Sequence, residues 1–266
     1  MKIVLDAVAK GPRFAALPIT SATFQTGRAT LVRAETEQRP TVLGLIASGR
    51  MRPDAGSVAI DGRQDYSDMR KRIALIDAPD VCEPAPDVTV AGIVAEELMF
   101  AGRASHPIAV NRRLSELGAS EYGRWAIGTV PPTVRIRLLA ELALMRAGVE
   151  GLVIVSPDRH GGDPVEWWEF ARELAARDIA VLVVAGDASA AAIAAASLVS
   201  RIDETQTGPL TFDEATSDEE TFDEATSDEE TSDEETFDED PGRDDTDEPY
   251  PSESGDLTGT DPVENA

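Results

Sequence analysis

The sequence predicts an α/β fold, in which helices cover a parallel sheet, followed by an acidic tail. Up to about residue 200, apolar segments of strand length alternate with segments of helical pattern, an order that favours parallel strands and right-handed crossovers. Residues 1–202 carry 24 acidic and 23 basic side chains, whereas residues 203–266 carry 26 acidic side chains and one arginine. The tail therefore accounts for nearly all of the net charge of −26. We predict a domain over residues 1–202 and a separate tail over residues 203–266.

The first predicted unit is a strand, a loop and a helix. Thr30-Leu31-Val32 is a short apolar run typical of a strand, and residues 42–49 form an apolar stretch of helical length that ends in glycine, as helices often do. Residues 51–62 contain a Pro-Asp-x-Gly turn and then an alternating strand that closes on Asp-Gly.

Further segments complete the predicted sheet and its helices. Residues 72–76 and 181–184 are apolar strands. Residues 151–164 begin as an apolar strand and end in a Gly-Gly-Asp-Pro turn. Residues 179–199 are largely apolar but are interrupted by a Gly-Asp pair. They predict a strand followed by a helix, because a membrane-spanning helix needs about 20 unbroken apolar residues.

Several of these segments resemble the ATP-binding subunits of ABC transporters. The most specific match is the run PDAGSVAIDG over residues 53–62, which is similar to the family's P-D-x-G-x-V-x-I-D-G run, and residues 161–164 look like its G-L-D-P turn. The resemblance covers roughly residues 1–200. It implies a RecA-like P-loop NTPase core, a small antiparallel β subdomain at the N-terminus, and a helical subdomain inserted at about residues 78–128.

The phosphate-binding loop that the resemblance implies lacks the residues that hold phosphate. A GxxxxGK[ST] loop closes backbone N–H groups on the phosphates, its lysine supplies charge, and its hydroxyl ligates magnesium. Here the glycine positions are Arg33 and Gln38, and the magnesium-ligand position is Pro40, which has neither a hydroxyl nor an N–H. Arg39, at the lysine position, and Thr41 remain as candidate nucleotide-binding residues of a vestigial site.

The other catalytic positions that the resemblance implies are also substituted. Ser156 and Pro157 stand where the family has the aspartate for magnesium and the glutamate for the attacking water, and neither is a comparable ligand or base. Ala78 is at the glutamine position, Gly186 is at the switch-histidine position, and residues 130–134 replace the L-S-G-G-Q signature ahead of a helix. We predict no catalytic residue and no cofactor; residual binding of ATP without hydrolysis is the alternative.

Acidic side chains near these positions bear on the same question. Glu35 and Glu37 would each oppose a bound triphosphate by about 1–4 kcal/mol at ~4 Å. We favour an ion pair of Arg39 with one of these two glutamates over a contact of Arg39 with phosphate. Asp158 lies close enough in sequence to replace a lost carboxylate, but its Asp-x-x-Gly-Gly context predicts the start of a turn.

Neither a metal site nor nucleic-acid binding is predicted. His106, His160 and Cys82 are far apart in the sequence, so we expect each of them to be structural or on the surface. The near-neutral domain and the acidic tail disfavour contact with nucleic-acid phosphates. The N-terminus lacks the regions of a signal peptide, and we expect a cytoplasmic protein.

The tail contains six consecutive acidic pentads over residues 211–240, TFDEA, TSDEE, TFDEA, TSDEE, TSDEE and TFDED. They have too little apolar surface to offset the entropy cost of ordering, so we predict a disordered segment. A solubilising repeat is one interpretation. In the other, Phe212, Phe222 and Phe237 bind a basic protein surface in their acidic context, and phosphorylation of the threonines adds charge.

Three functions are consistent with these features. The leading hypothesis is a hydrolysis-deficient ABC-type subunit at the inner face of the membrane, which binds a membrane permease or exporter subunit, or pairs with an active cassette subunit or with itself. Its docking groove would lie between the core and the insert, within residues 78–128. The apolar helix face there, which ordinary core packing would also explain, consists of Val90, Ile93, Val94, Leu98, Met99 and Phe100. The alternatives are an ATPase with the displaced ligands Arg39, Thr41 and Asp158, and a scaffold that presents the acidic tail.

Overall fold

Two sheets and the helices around them make up the described part of the chain. The structure is a computed structural model, and it describes residues 1–35 and 39–206. The strands are β1 (Lys2–Lys10), β2 (Leu17–Gln25), β3 (Ala29–Arg33), β4 (Ala55–Ile60), β5 (Ile73–Ile76), β6 (Gly151–Val155) and β7 (Ala180–Ala185). The helices are α1 (Arg39–Ala47), α2 (Tyr66–Arg72), α3 (Val90–Phe100), α4 (Pro107–Glu116), α5 (Pro132–Ala143), α6 (Pro164–Ala176) and α7 (Asp187–Gln206). Short 3-10 turns lie at Pro12–Phe14, Ser120–Tyr122, Ile127–Thr129 and Pro157–His160.

The two sheets confirm the predicted fold class. Strands β2, β1 and β4 form an antiparallel sheet in that order, in which Ile3 pairs with both Phe24 and Ile60. Strands β3, β7, β6 and β5 form a parallel sheet in that order. Every strand predicted from the sequence is present, with small shifts of its ends. The arrangement is a RecA-like core with an antiparallel subdomain at its N-terminus.

Alternate residues of the central strands enter two different apolar cores, as the period of two in a strand requires. On β6, Val153 and Val155 face the core that contains α1 and the antiparallel sheet. Leu152 and Ile154 face the opposite core, which contains α5, α6 and Trp167. The parallel sheet is thus covered on both sides, and this explains why its strands are continuous apolar runs.

A helical layer is inserted between β5 and α5, in the region where the insert was predicted. It consists of α3, α4 and the 3-10 turns at 120–122 and 127–129. Helix α5 joins this layer to the sheet because its two sides enter different cores. Ile136 and Ala140 pack on the parallel sheet, whereas Leu138 and Leu142 pack on the helical layer.

The run at residues 53–62 has local physical reasons for its residue types. The carboxylate of Asp54 accepts hydrogen bonds from Lys10 Nζ at 2.5 Å and from the backbone N–H of Gly11 at 2.9 Å. Gly56 has φ of +75°, and a Cβ atom there would lie 2.3 Å from the carbonyl oxygen of Ala7. Both residues therefore hold β4 against β1, and this role needs no bound nucleotide.

The end of the domain differs slightly from the prediction. Helix α7 runs to Gln206, beyond the boundary predicted at residue 202. The acidic pentads at 211–240, with Phe212, Phe222 and Phe237, lie outside the described residues. In the described part of the chain, no helix is both long and apolar enough to cross a bilayer.

We predict that Gly44→Ala destabilises the domain. Gly44 lies in α1 where the helix crosses β6, and a Cβ atom would lie 2.6 Å from Val155 Cγ2. Overpacking of this kind costs about 1–3 kcal/mol in the free energy of unfolding, which urea denaturation would measure. Thr41→Ala in the same helix adds no atoms and should change that free energy by less than about 0.5 kcal/mol. Equal stability of the two variants would contradict the close packing of α1.

Candidate functional site

The carboxyl ends of the four parallel strands meet at one edge of the sheet, where α/β folds bind their ligands. Glu35 follows β3, Asp77 follows β5, Ser156 follows β6 and Gly186 follows β7. Ser156 and Gly186, two of the substituted positions of the predicted nucleotide site, therefore lie at the same edge as Glu35 and Asp77. The contacts of these residues determine which ligands this edge of the sheet can bind.

Two carboxylates accept hydrogen bonds from the backbone N–H groups at the start of α7. Glu35 Oε1 accepts a hydrogen bond from the N–H of Asp187 at 2.6 Å. Asp158 Oδ2 accepts one from the N–H of Gly186 at 2.8 Å and one from Ser189 Oγ at 3.2 Å. Such N–H groups are the part of a helix that binds phosphate in many proteins. Here the protein's own side chains satisfy them.

Asp158 thus has a role that the sequence did not predict. It lies in the 3-10 turn Pro157–His160, so the predicted turn is present, but its carboxylate reaches across to α7. A side chain at Gly186 would meet this carboxylate, because a Cβ atom would lie 3.0 Å from Glu35 Oε1 and 3.2 Å from Asp158 Oδ2. A side chain at the position that the resemblance gives to the switch histidine would therefore require both carboxylates to shift.

Arg39 and Thr41, the predicted nucleotide-binding residues, lie in the first turn of α1. The sequence predicts an ion pair of Arg39 with Glu35 or Glu37; the Glu35 carboxylate accepts a hydrogen bond at the start of α7, and the pair with Glu37 stays a prediction. Glu37 lies outside the described residues. Arg39 Nε is buried and has no hydrogen-bond partner among the described residues. Thr41 is half-buried.

A cleft of about 350 Å³ lies beside Arg39, between the antiparallel sheet and the carboxyl edge of the parallel sheet. Its lining mixes both signs of charge, because Arg33 lies 3.5 Å from the carboxylate of Asp187 and Glu35 is part of the wall. The residues that line it are Leu17, Pro18, Thr20, Arg33, Ala34, Glu35, Arg39, Leu43 and Asp187.

The end of β6 is shaped by backbone contacts rather than by groups that could bind a cation. Ser156 has φ of +46° and donates its N–H to the carbonyl oxygen of Val184 at 2.8 Å. Pro157 is buried. Across residues 1–35 and 39–206, no group of three or more histidine, cysteine or acidic side chains could hold a metal ion.

The strongest polar feature of the edge is a group of four side chains, which we call the Asp77 cluster: the buried Asp77 and Arg135 and the half-buried Arg159 and His160. Asp77 and Arg135 have side chains 2% and 4% exposed. Arg135 donates to both carboxylate oxygens of Asp77, from Nη2 at 2.6 Å and from Nε at 2.9 Å. His160 Nε2 lies 2.9 Å from Asp77 Oδ2, and Arg159 Nη2 lies 3.2 Å from Asp77 Oδ1.

The charges around Asp77 keep it ionised in spite of its burial. Burial alone would raise the pKa of its carboxyl group, but hydrogen bonds from His160 and Arg135 and the positive charges of Arg135 and Arg159 have the larger effect. The pKa of Asp77 is therefore held well below its usual range. His160 is structural, as predicted, and so is His106, whose Nδ1 accepts from the N–H of Ala109 at the start of α4.

Sequence reasoning missed this cluster, although two signals were present. Asp77 directly follows an apolar strand, and polar residues at that point of a parallel sheet face its carboxyl edge. Arg135 precedes Leu138 by three residues and Leu142 by seven, so it lies on the stripe of α5 that faces the helical layer. A charge on an apolar stripe of a helix indicates a buried partner.

A second cleft, of about 370 Å³, lies between the end of β5 and the helices α3 and α5. The residues of the predicted apolar helix face have two different environments here. Val90, Ile93, Val94 and Leu98 are buried in the helical layer, which is the core packing that the sequence left open. Met99 and Phe100 are 60% and 62% exposed, and Phe100 lines the cleft.

The polar walls of this cleft are fixed by contacts within the domain. Arg146 binds the carboxylate of Glu97 through Nη2 and Nε, at 2.6 and 3.1 Å, and Arg50 donates to the carbonyl oxygen of Ile73 at 3.1 Å. Burial lowers the pKa of the Arg50 guanidinium and raises that of the Cys82 thiol. The cleft therefore has an ordered rim beside the exposed Phe100.

Comparison with solved structures identifies the fold. A dimeric structure of a bacterial ABC transporter cassette superposes with a TM-score of 0.53 and 16% identity, over 70% of this chain and 88% of that one. An ABC transporter ATP-binding protein from Pyrococcus furiosus superposes with a TM-score of 0.51 and 12% identity, over 70% of this chain and 92% of that one. No protein-family model matches the sequence, and no curated protein does. The chain therefore has the fold of an ATP-binding cassette domain.

We predict that Asp77→Asn destabilises the domain in a pH-dependent way. Because the pKa of Asp77 is lowered on folding, the ionised carboxylate stabilises the fold above the unfolded-state pKa of about 4, and this contribution is lost as the pH falls below that value. Loss of one partner of a buried ion pair costs about 3–5 kcal/mol. The difference in unfolding free energy between wild type and variant should be full at about pH 7 and should shrink below about pH 4.

The matched control for this prediction is Asp80→Asn. Asp80 is exposed and also has a positive φ, of +59°, so the substitution tests the loss of an aspartate in the same backbone conformation. We expect its unfolding free energy to follow the wild type at every pH. A constant difference between Asp77→Asn and wild type from pH ~7 to ~3 would contradict the ionised state of Asp77.

Proposed function

We propose that this cassette-fold domain does not hydrolyse ATP by the P-loop mechanism and acts as the cytoplasmic partner of a membrane permease or exporter. The observation that carries the proposal is the pair of hydrogen bonds from the start of α7 to Glu35 and Asp158. Backbone N–H groups at the ligand-binding edge are satisfied by carboxylates of the chain itself. A phosphate group would have to displace them.

Electrostatics supports the same conclusion. Glu35, Asp158 and Asp187 place three carboxyl groups around the carboxyl ends of β3, β6 and β7. A phosphate oxygen about 4 Å from one carboxylate meets a repulsion of roughly 1–4 kcal/mol between water-like and surface-like dielectric. Arg33 and Arg39 are the nearby cations, and Arg33 already lies beside Asp187.

The residues that are present do not fit a nucleotide with its magnesium ion. Pro40, in the first turn of α1, offers neither the hydroxyl that would ligate the ion nor an N–H for the phosphates. Ser156 directs its N–H into the sheet, and it is a weak ligand for a hard cation.

The cleft beside Phe100 supports the second half of the proposal. Phe100 and Met99 are large, exposed apolar side chains at the end of α3, and the guanidinium of Arg146 lies 5.9 Å from the centre of the Phe100 ring. An aromatic side chain next to a cleft with an ordered polar rim is typical of an anchor for a protein partner. Transporter cassettes of this fold, one of them dimeric, suggest a permease subunit or a second cassette as that partner.

We predict that the purified full chain neither releases phosphate from Mg-ATP nor binds it at micromolar concentration. Isothermal titration calorimetry would measure the binding, and a phosphate-release assay would measure the turnover. Arg39→Ala should behave as the wild type, and so should Arg33→Ala in the wall of the same cleft. Magnesium-dependent turnover that Arg39→Ala abolishes and Arg33→Ala retains would establish the ATPase alternative.

A second prediction concerns the partner. Phe100→Asp should weaken binding of the full chain to membrane vesicles that contain the permease by at least about tenfold, because a buried aromatic anchor contributes ~2 kcal/mol or more. Co-sedimentation with the vesicles measures the affinity. Ile108→Asp is the control, since Ile108 is 77% exposed but lies on α4, and it should bind as the wild type does.

Deletion of residues 207–266, which leaves α7 intact, tests the alternative in which the chain is a scaffold that presents its acidic tail. If the cleft binds the partner, the shortened chain should bind the vesicles with unchanged affinity. Loss of binding on deletion, with Phe100→Asp having no effect, would show that the acidic tail makes the contact.

A further inference from the structure

The chain passes from the parallel sheet to the helical layer and back at two points that lie side by side, which together we call the neck. The chain leaves the sheet at Asp77, directly after β5, and returns through the first turn of α5. Asp77 and Arg135 lie at the two sides of this neck, 58 residues apart in the sequence, and they form two hydrogen bonds at 2.6 and 2.9 Å. The ion pair thus closes the base of the inserted layer.

Further hydrogen bonds of Arg135 and Arg159 connect the neck to the helical layer and to the parallel sheet. Arg135 Nη1 donates to the carbonyl oxygen of Ile127, in the last turn of the helical layer, at 3.2 Å. Arg159, which follows β6, donates to the carbonyl oxygen of Asp77 at 2.6 Å and to Glu83 Oε2 at 2.7 Å. The outgoing segment, the incoming segment and the sheet therefore meet in one group of charges.

These contacts differ in kind from the apolar contacts of α5. Apolar packing is not directional, so helices can slide over one another with little loss of buried area. A guanidinium that donates to both oxygens of one carboxylate fixes distance and angle together. Both partners are buried, so separation of the pair would leave an uncompensated charge in the interior, which is strongly unfavourable.

We propose that the Asp77 cluster is a latch that holds the helical layer in one orientation relative to the parallel sheet, with or without nucleotide in the medium. Leu75 of the parallel sheet and Glu97 of the helical layer form walls of the cleft beside Phe100. The latch therefore keeps the cleft preformed. It concerns the chain alone and does not depend on the proposed partner.

Distance measurement between two spin labels tests the latch in the full chain. Ser115→Cys on α4 and Ala176→Cys on α6 are exposed positions in the layer and in the core, and Cys82→Ser removes the native thiol. Double electron–electron resonance should give a single narrow distance distribution that Mg-ATP leaves unchanged. Asp77→Asn should broaden the distribution, whereas Asp80→Asn should leave it narrow.

Hydrogen exchange provides a second readout that does not require labels. Arg135→Met should speed the exchange of amides in α3 and α4 at least about tenfold more than that of amides in β7, whose acceleration reports the loss of global stability, because the layer then also opens by itself. Arg137→Met is the matched control, two residues along the same helix, where the arginine forms an exposed pair with Glu173. It should leave exchange in the layer unchanged.

Three results would overturn the latch. The first two are spin-label results on the parent protein: a distribution with two distances, or a distance that shifts when Mg-ATP is added. The third is equal acceleration of amide exchange in α3 and β7 in Arg135→Met. That result would mean that the cluster supports only the global stability of the domain. Calorimetry on the same samples reports nucleotide binding separately. Failure of the latch and failure of the proposed function are therefore distinguishable.

Discussion

The buried ion pair between Asp77 and Arg135 is the interaction on which the arrangement of this domain depends. Two apolar cores cover the parallel sheet and a third holds the helical layer, and α5 belongs to two of them. Apolar burial supplies most of the stability of such a fold, but it leaves the angle between layers weakly defined. The carboxylate and guanidinium at the neck define that angle, and Arg159 and His160 satisfy the remaining lone pairs of the carboxylate and carbonyl.

The carboxyl edge of the sheet keeps the geometry of a ligand site while its polar groups face inward. Glu35 and Asp158 satisfy the start of α7, and Asp77 binds the side chain of Arg135 in α5. In an α/β fold these helix ends and strand ends are normally available to an anionic ligand. Here they hold the domain together. The exposed Phe100, through which we propose a protein contact, lies outside this group of internal hydrogen bonds.

The sequence predicted the fold well because its signals are local. Apolar strands and the Pro-Asp-x-Gly turn are recognised from adjacent residues, although Asp54 and Gly56 then contact Gly11 and Ala7, which lie much earlier in the chain. The candidate site was harder to predict, since its contacts join residues that are distant in the sequence: Glu35 to Asp187, and Asp77 to Arg135. Charge at a position indicates that a partner exists, but only the strand order shows which residue that partner is.

The crowding at Gly186 has a consequence for protein engineering. A Cβ atom there would lie 3.0 Å from Glu35 Oε1 and 3.2 Å from Asp158 Oδ2, so both carboxylates would have to shift. Each of these carboxylates accepts a backbone hydrogen bond at the start of α7. A larger residue introduced at position 186 would therefore disturb the entry of α7 together with the site.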